Sequence, residues 1–267
     1  MPPVILSIAG YDPSSGAGIT ADVKTAAANG CYAATCITAL TVQSTQEVFG
    51  VQPVSPDLIR RILTALAGDL DIAAVRLGML GSGEVAGVVA DFLESSRLPN
   101  IVLDPVIRSS SGTLLLDEAG LEVLRARLIP LCDVMTPNIH EAALLVNAEP
   151  LPEQSTWESA SPRIRELADG LHGLGAQAVV ITGGHLDPAK DYLSSKVPLR
   201  QLAINGERWE SRSTHGTGCA YATAMACRLA LGEDLPLAAR MAKEYVSGAI
   251  RAAYPVGKGI GPLNHFG

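Results

Sequence analysis

Val4-Ile5-Leu6-Ser7-Ile8-Ala9 runs into Gly10-Tyr11-Asp12-Pro13-Ser14-Ser15-Gly16 and then into residues 17–29, and these three pieces decide the fold. The first is almost wholly apolar, which predicts a strand buried on both faces. The second collects Gly, Pro, Ser and Asp, the residues of loops. The third is rich in Ala and predicts a helix.

The same unit returns along the chain. Strands are predicted at 34–40, 73–77, 101–103, 133–136 and 178–182, and helices at 56–67, 83–95, 118–128, 138–146 and 161–174. Apolar strands alternating with helices make a mainly parallel sheet covered on both faces, a three-layer α/β/α pattern. Ligands of such sheets sit beyond the carboxyl ends of the strands. Those ends carry Asp12, Gln43, Met79, Asp104, Asn138 and Gly183-Gly184. Residues 187–212 break the pattern. They are polar, with strand-like pieces at 199–204 and 207–210, and predict a small antiparallel edge. Helices at 218–231 and 235–253 follow, then a glycine-rich tail. No repeat or linker divides the chain, so one domain over residues 1–267 is expected.

The 267 residues are 48% hydrophobic and 18% charged, which excludes a disordered chain. With 20 Lys+Arg against 27 Asp+Glu the net charge is -7, and no stretch clusters the basic residues, so no nucleic-acid partner is expected. The five cysteines, Cys31, Cys36, Cys132, Cys219 and Cys227, are odd in number and lack CxxC spacing, which argues against a disulfide scaffold or structural zinc. The apolar run at residues 4–9 is too short for a signal core or a membrane span. A cytoplasmic protein is expected.

Thr214-His215-Gly216-Thr217-Gly218-Cys219 leads into an apolar helix. Glycines let backbone N–H groups approach a ligand, and a helix start adds partial positive charge; together they suit a phosphate. Cys219 then falls in the first turn, where a thiolate is favoured. The plainer alternative is a glycine-containing helix start with an inert cysteine. The turn lacks the Gly-Lys-Ser/Thr of a Walker A loop, and the first loop lacks the Gly-x-Gly-x-x-Gly of dinucleotide folds.

Separated segments agree with one family: residues 8–25, Thr38-Ala39-Leu40-Thr41-Val42-Gln43-Ser44-Thr45, Leu103-Asp104-Pro105-Val106, Thr136-Pro137-Asn138 with Glu141, residues 213–219, and the tail 257–265. In their order and spacing they resemble the hydroxymethylpyrimidine and phosphomethylpyrimidine kinases of thiamine biosynthesis, of the ribokinase-like fold. The resemblance implies phosphoryl transfer from ATP, with Mg²⁺, to 4-amino-5-hydroxymethyl-2-methylpyrimidine and then to its monophosphate. It implies Cys219 as base and Gly216, Thr217 and Gly218 as an anion hole. Gln43 and Asp22 would hold the pyrimidine, with Ala17, Met79 and Val106 as walls. Met79 and Val106 also read as ordinary core, and Asp22 as a solvated helix charge.

Asn138 and Glu141 resemble the superfamily pattern that serves Mg²⁺ and its waters, and Asp104 would support the same ion. The residues also fit a plain capping box. Thr182, Gly183, Gly184 and Thr214 would border the nucleotide, and Lys243 and Lys258 would lie near it unless they are simply solvated. The resemblance further implies a homodimer. Tyr11, Arg108-Ser109-Ser110 and Ile181-Thr182-Gly183 depart from the family's usual residues, the last two where lysines are common. Arg108 is expected to replace one missing positive charge. Pyridoxal kinases of a related type also carry the Gly-Thr-Gly-Cys end and are the nearest alternative. A non-catalytic pyrimidine sensor is a further one.

Overall fold

The computed structural model describes residues 1–109, 112–152, 155–184 and 186–267. One nine-stranded sheet runs through it in the order β3-β2-β1-β4-β5-β6-β7-β8-β9. The strands are β1 (Val4–Tyr11), β2 (Tyr32–Gln43), β3 (Val48–Pro53), β4 (Ile72–Leu77), β5 (Ile101–Leu103), β6 (Val134–Met135), β7 (Ala178–Ile181), β8 (Asp191–Ser195) and β9 (Arg200–Ile204). From β2 through β7 neighbours are parallel, while β3, β8 and β9 pair antiparallel at the two edges.

Helices α1 (Gly18–Ala28), α8 (Thr217–Ala230) and α9 (Leu235–Arg251) cover one face. The other carries α2 (Pro56–Asp69), α3 (Gly83–Ser96), α4 (Glu118–Val123), α6 (Ile139–Leu145) and α7 (Trp157–Gly173). A π-helical turn, Leu124–Leu128, joins α4 to the short α5 (Ile129–Leu131). Strand residues alternate between the two cores: Ile5, Ala74 and Val102 face one layer, Leu6, Val75 and Leu103 the other. Four buried alanines, Ala220, Ala222, Ala224 and Ala226, let α8 pack closely.

Most helices carry their own start signal. Ser55, Ser82, Asp117, Asn138, Thr156 and Asp234 each accept a backbone N–H of the first turn. α1 and α8 begin instead at Ala17 and Gly216, with no side-chain cap. No capping side chain covers their leading N–H groups, and both helices start at the same cavity.

Three expectations fail in detail. β3 was not foreseen, nor was β8, whose Asp191, Ser194 and Ser195 are buried polar residues. Residues 207–210 form no strand. The edge is made by β8 pairing with β9, five residues against five. No helix of the described residues is long and apolar enough to cross a membrane.

Candidate active site

A cavity of about 1130 Å³ opens at the carboxyl ends of β1, β2, β4, β5, β6 and β7. Its lining brings together Ala17, Gln43, Met79, Val106, Asp104, Asn138, Glu141, Thr182, Gly184, Thr214, Gly216, Thr217, Gly218, Cys219 and Lys243. Residues from eight separate stretches of the chain therefore meet in one place.

The first loop and the turn before α8 lock together at its mouth. Asp12 accepts from the N–H groups of Ser14, Gly16 and Ala17 at 2.8, 3.2 and 3.0 Å. Its Oδ2 also lies 2.8 Å from His215 Nε2. Burial pushes the Asp12 carboxyl upward, but the bonds from His215 and Ser14 outweigh it and leave the group below its ordinary value. Gly216 has φ 85°, and a side chain there would collide with the Gly16 carbonyl. Only glycine fits that contact.

Beneath the cavity lies a charge network. Arg76, at 0% exposure, sends Nη1 to Asp22 at 3.1 Å and Nη2 to Asp104 at 2.6 Å. Gly78 leaves room for that guanidinium, since a Cβ there would strike it. Burial raises the Asp22 and Asp104 carboxyls against the pull of Arg76. Glu141 is held well above its usual range by burial and by the nearby Asp104. One guanidinium thus serves a site with three carboxyl groups.

Four expectations change here. Asp22, expected to hold the pyrimidine or else to be a solvated helix charge, does not line the cavity and is not solvated. The inward face of α1 buries it completely, and its oxygens accept from Ser7 Oγ at 2.6 Å and Thr223 Oγ1 at 2.8 Å. Cys219 is not biased toward thiolate. Burial, with Asp104 and Asp22 adding, pushes its thiol up to about 12 despite the helix start and Arg76. Gly183 lies off the cavity, where its N–H donates to Asp191 Oδ1 at 3.0 Å and its missing side chain clears the Lys190 carbonyl. Lys258 is exposed on the tail, outside the lining. The tail is fixed by Gly259 N–H to Thr45 Oγ1 at 3.2 Å and Ile260 N–H to the Thr45 carbonyl at 2.9 Å.

Asn138 and Glu141 do form a capping box, at 2.9 Å in each direction, while also lining the cavity. Lys243 Nζ reaches the cavity already paired with Asp191 at 2.7 Å. Ser110, in the stretch that departs from the family, lies outside the described residues. Arg76 and Asp191 were missed. An arginine inside the apolar run Ile72–Leu77 was the available signal, because a buried strand carries a charge only against an opposite one.

A family described as Phosphomethylpyrimidine kinase matches residues 12–264. The chain belongs to that family. A relative in this phosphomethylpyrimidine kinase family, the hydroxymethylpyrimidine/phosphomethylpyrimidine kinase of Streptomyces coelicolor, is 39% identical over 99% of this chain and 94% of its own. The solved phosphomethylpyrimidine kinase of Clostridium difficile superposes with TM-score 0.79 at 32% identity, over 93% of this chain and 99% of its own. The Bacillus subtilis pyridoxal kinase, solved as an ADP complex, superposes with TM-score 0.88 at 31% identity, over 99% of this chain and 98% of its own. These likenesses place the kinase in the ribokinase-like fold.

Proposed function

We propose that this chain is an ATP-dependent kinase of thiamine biosynthesis, phosphorylating 4-amino-5-hydroxymethyl-2-methylpyrimidine and then its monophosphate. One observation carries the reading: the Gln43 amide, the apolar walls Met79 and Val106, and the uncapped start of α8 at Cys219 converge on one cavity. The amide offers a donor and an acceptor to an aminopyrimidine edge. The walls take the ring, and the backbone of Gly216, Thr217 and Gly218 receives the transferring phosphoryl group.

In the reaction the hydroxymethyl oxygen bonds to the γ-phosphorus of ATP as the bond to the ADP oxygen breaks. We assign Cys219 to the hydroxyl proton. A thiol at about 12 is protonated in the empty site at neutral pH, so it first orients the alcohol. Cys219 can take the hydroxyl proton only as the thiolate, after its own proton has passed to solvent, and the transfer falls late, once the new O–P bond makes the alcohol oxygen acidic. Thr182, Gly184, Thr214 and Lys243 are assigned to the nucleotide side.

The excess of carboxyl groups at Asp104 and Glu141 fits a divalent cation. Mg²⁺ suits a site with two carboxylates because it keeps several waters and shares phosphate oxygens. When bound it would neutralise phosphate charge. We read the protein as a cytoplasmic homodimer. Leu40, Val42 and Phe49, exposed on β2 and β3, support the second copy.

The deciding measurement is a purified-enzyme assay with ATP, Mg²⁺ and the hydroxymethylpyrimidine, following both phosphorylated products. Cys219→Ala should lower kcat by about 10²-fold or more. Near-normal turnover would remove Cys219 from proton transfer while leaving the kinase reading intact. Pyridoxal is the second substrate to try, because the likeness to the B. subtilis enzyme is as strong in shape. If no alcohol of either class consumes ATP, the protein is a binding module instead.

A further inference from the structure

We infer that His215, held by Asp12, is a positioning residue that fixes the direction of the Gln43 amide and so sets which heteroaromatic edge the kinase accepts. This rests on the kinase reading above and deepens it.

The inference follows from counting protons. Asp12 is an ionised acceptor that already takes the Ser14, Gly16 and Ala17 N–H groups and the Ser14 hydroxyl at 2.7 Å. Its Oδ2 therefore requires a proton on His215 Nε2, 2.8 Å away. That same Nε2 lies 3.2 Å from the Nε2 end of the Gln43 amide. An N–H of the ring cannot accept from an N–H of the amide. The two ends of a glutamine amide are told apart by their partners.

The opposite end gives the same answer independently. Thr41 Oγ1 is 3.0 Å from the Tyr11 carbonyl and 3.1 Å from the amide's other end. The hydroxyl has one proton, and the carbonyl can only accept it. Its oxygen is then an acceptor for Gln43. The amide therefore presents its NH₂ to Thr41 and its carbonyl to His215, where the single Nε2–H is shared between Asp12 Oδ2 and that carbonyl in a three-centre bond.

Each end keeps one free position for the cavity: a lone pair on the His215 side and an N–H on the Thr41 side. A 4-aminopyrimidine offers an amine beside a ring nitrogen, a donor next to an acceptor. The fixed amide complements that pair. Pyridoxal carries an aldehyde where the pyrimidine has its amine, and there a carbonyl would face a carbonyl. A site with a fixed hydrogen-bond order rejects the reversed edge, since mismatched buried groups stay unpaired. Gly16 belongs to the device, because a Cβ there would collide with the His215 ring.

The experiment measures kcat/KM for the hydroxymethylpyrimidine and for pyridoxal in wild type, His215→Leu, His215→Gln and Thr41→Val. The wild type should prefer the pyrimidine. His215→Leu should lower the pyrimidine-to-pyridoxal ratio about tenfold, the equivalent of one hydrogen bond. His215→Gln keeps an N–H near the same point and should restore most of the ratio. Thr41→Val removes the far partner, should lower the ratio about threefold, and carries the test if His215→Leu fails to fold. Equal losses on both alcohols, or an unchanged ratio, would overturn the positioning role and leave the function standing. A wild type that phosphorylates pyridoxal but not the pyrimidine would overturn both.

Discussion

Helix α1 feeds two buried polar clusters from positions one turn apart, and they solve the cost of burial in opposite ways. Asp22 points into the cavity floor, where Ser7, Thr223 and Arg76 meet it and Arg76 continues to Asp104. Thr25 points to the tail, where its hydroxyl lies 3.2 Å from His265 Nδ1 and Tyr245 Oη lies 3.0 Å from the same nitrogen. The floor sets its two carboxyls against a buried guanidinium, whose pull opposes the burial that raises them. At the tail, no carboxylate among the described residues offsets the burial of the imidazole, and that burial, with Lys24 adding, pulls His265 down to about 4. A buried ionisable group thus holds its charge only where a partner stands. In this molecule the charged cluster is the one that underlies the cavity.

Removing the partner should break that contrast most visibly. Arg76→Met leaves Asp22 and Asp104 buried without a cation and should cost about 3–5 kcal/mol in urea unfolding. Arg76→Lys should recover only part, because one ammonium cannot fork between two carboxylates as a guanidinium does. If Arg76→Met unfolds at the wild-type midpoint, the floor is not held by charge pairing and the comparison fails.

The pH dependence should separate the clusters by sign. His265 has a folded pKa below its ordinary 6.5, so it costs nothing above that value. As pH falls from about 6.5 to about 4 the unfolded chain takes up a proton that the folded chain refuses, and stability drops by up to about 3 kcal/mol. Asp22 and Asp104 behave inversely. Their folded pKa values are raised, so their contribution is fully present below the unfolded value and is lost as pH rises through the folded one. Unfolding His265→Gln and wild type across this range isolates the histidine: the difference should grow as pH falls from 6.5. A difference that stays constant would mean that His265 is not kept neutral by its surroundings.

Much of this architecture is legible in the chain, for physical reasons that also mark where legibility stops. β1, β4, β5 and β7 are mostly apolar runs because both of their faces are covered, and a short run of that kind between loop residues suits a doubly covered strand. β8 escaped because Asp191, Ser194 and Ser195 look like surface, and only the ion pair with Lys243 and the bonds around it make their burial tolerable. The cavity's membership was readable from the strand ends, so Gln43, Met79, Asp104 and Asn138 fell into place together. Asp22 was misplaced because a residue on a short Ala-rich helix gives no hint of which face is inward. Cys219 was misjudged because a helix start is visible in sequence, whereas the burial that outweighs it belongs to the tertiary structure. The join between Asp12, His215 and Gln43 spans 203 positions and no local pattern announces it.

The smallest effect is expected at the cavity's rim, where charge is neither buried nor firmly paired. Arg108 lines the cavity but is exposed, and its guanidinium donates to the Gly112 carbonyl at 3.2 Å. Exposed charges contribute little to stability, so Arg108→Ala should leave the unfolding midpoint within about 0.5 kcal/mol of wild type. Its worth lies in attracting a phosphate. The alcohol substrate carries none, while its monophosphate brings a dianionic group. KM for the monophosphate should therefore rise about three- to tenfold, with the alcohol changed less than about twofold, and the gap should narrow as salt is added. Initial-rate assays on both substrates at two ionic strengths settle the matter. Equal effects on alcohol and monophosphate would show that Arg108 shapes the rim rather than supplying charge to it, and the neutralising group would have to be sought among Lys243 and the N–H groups of α8.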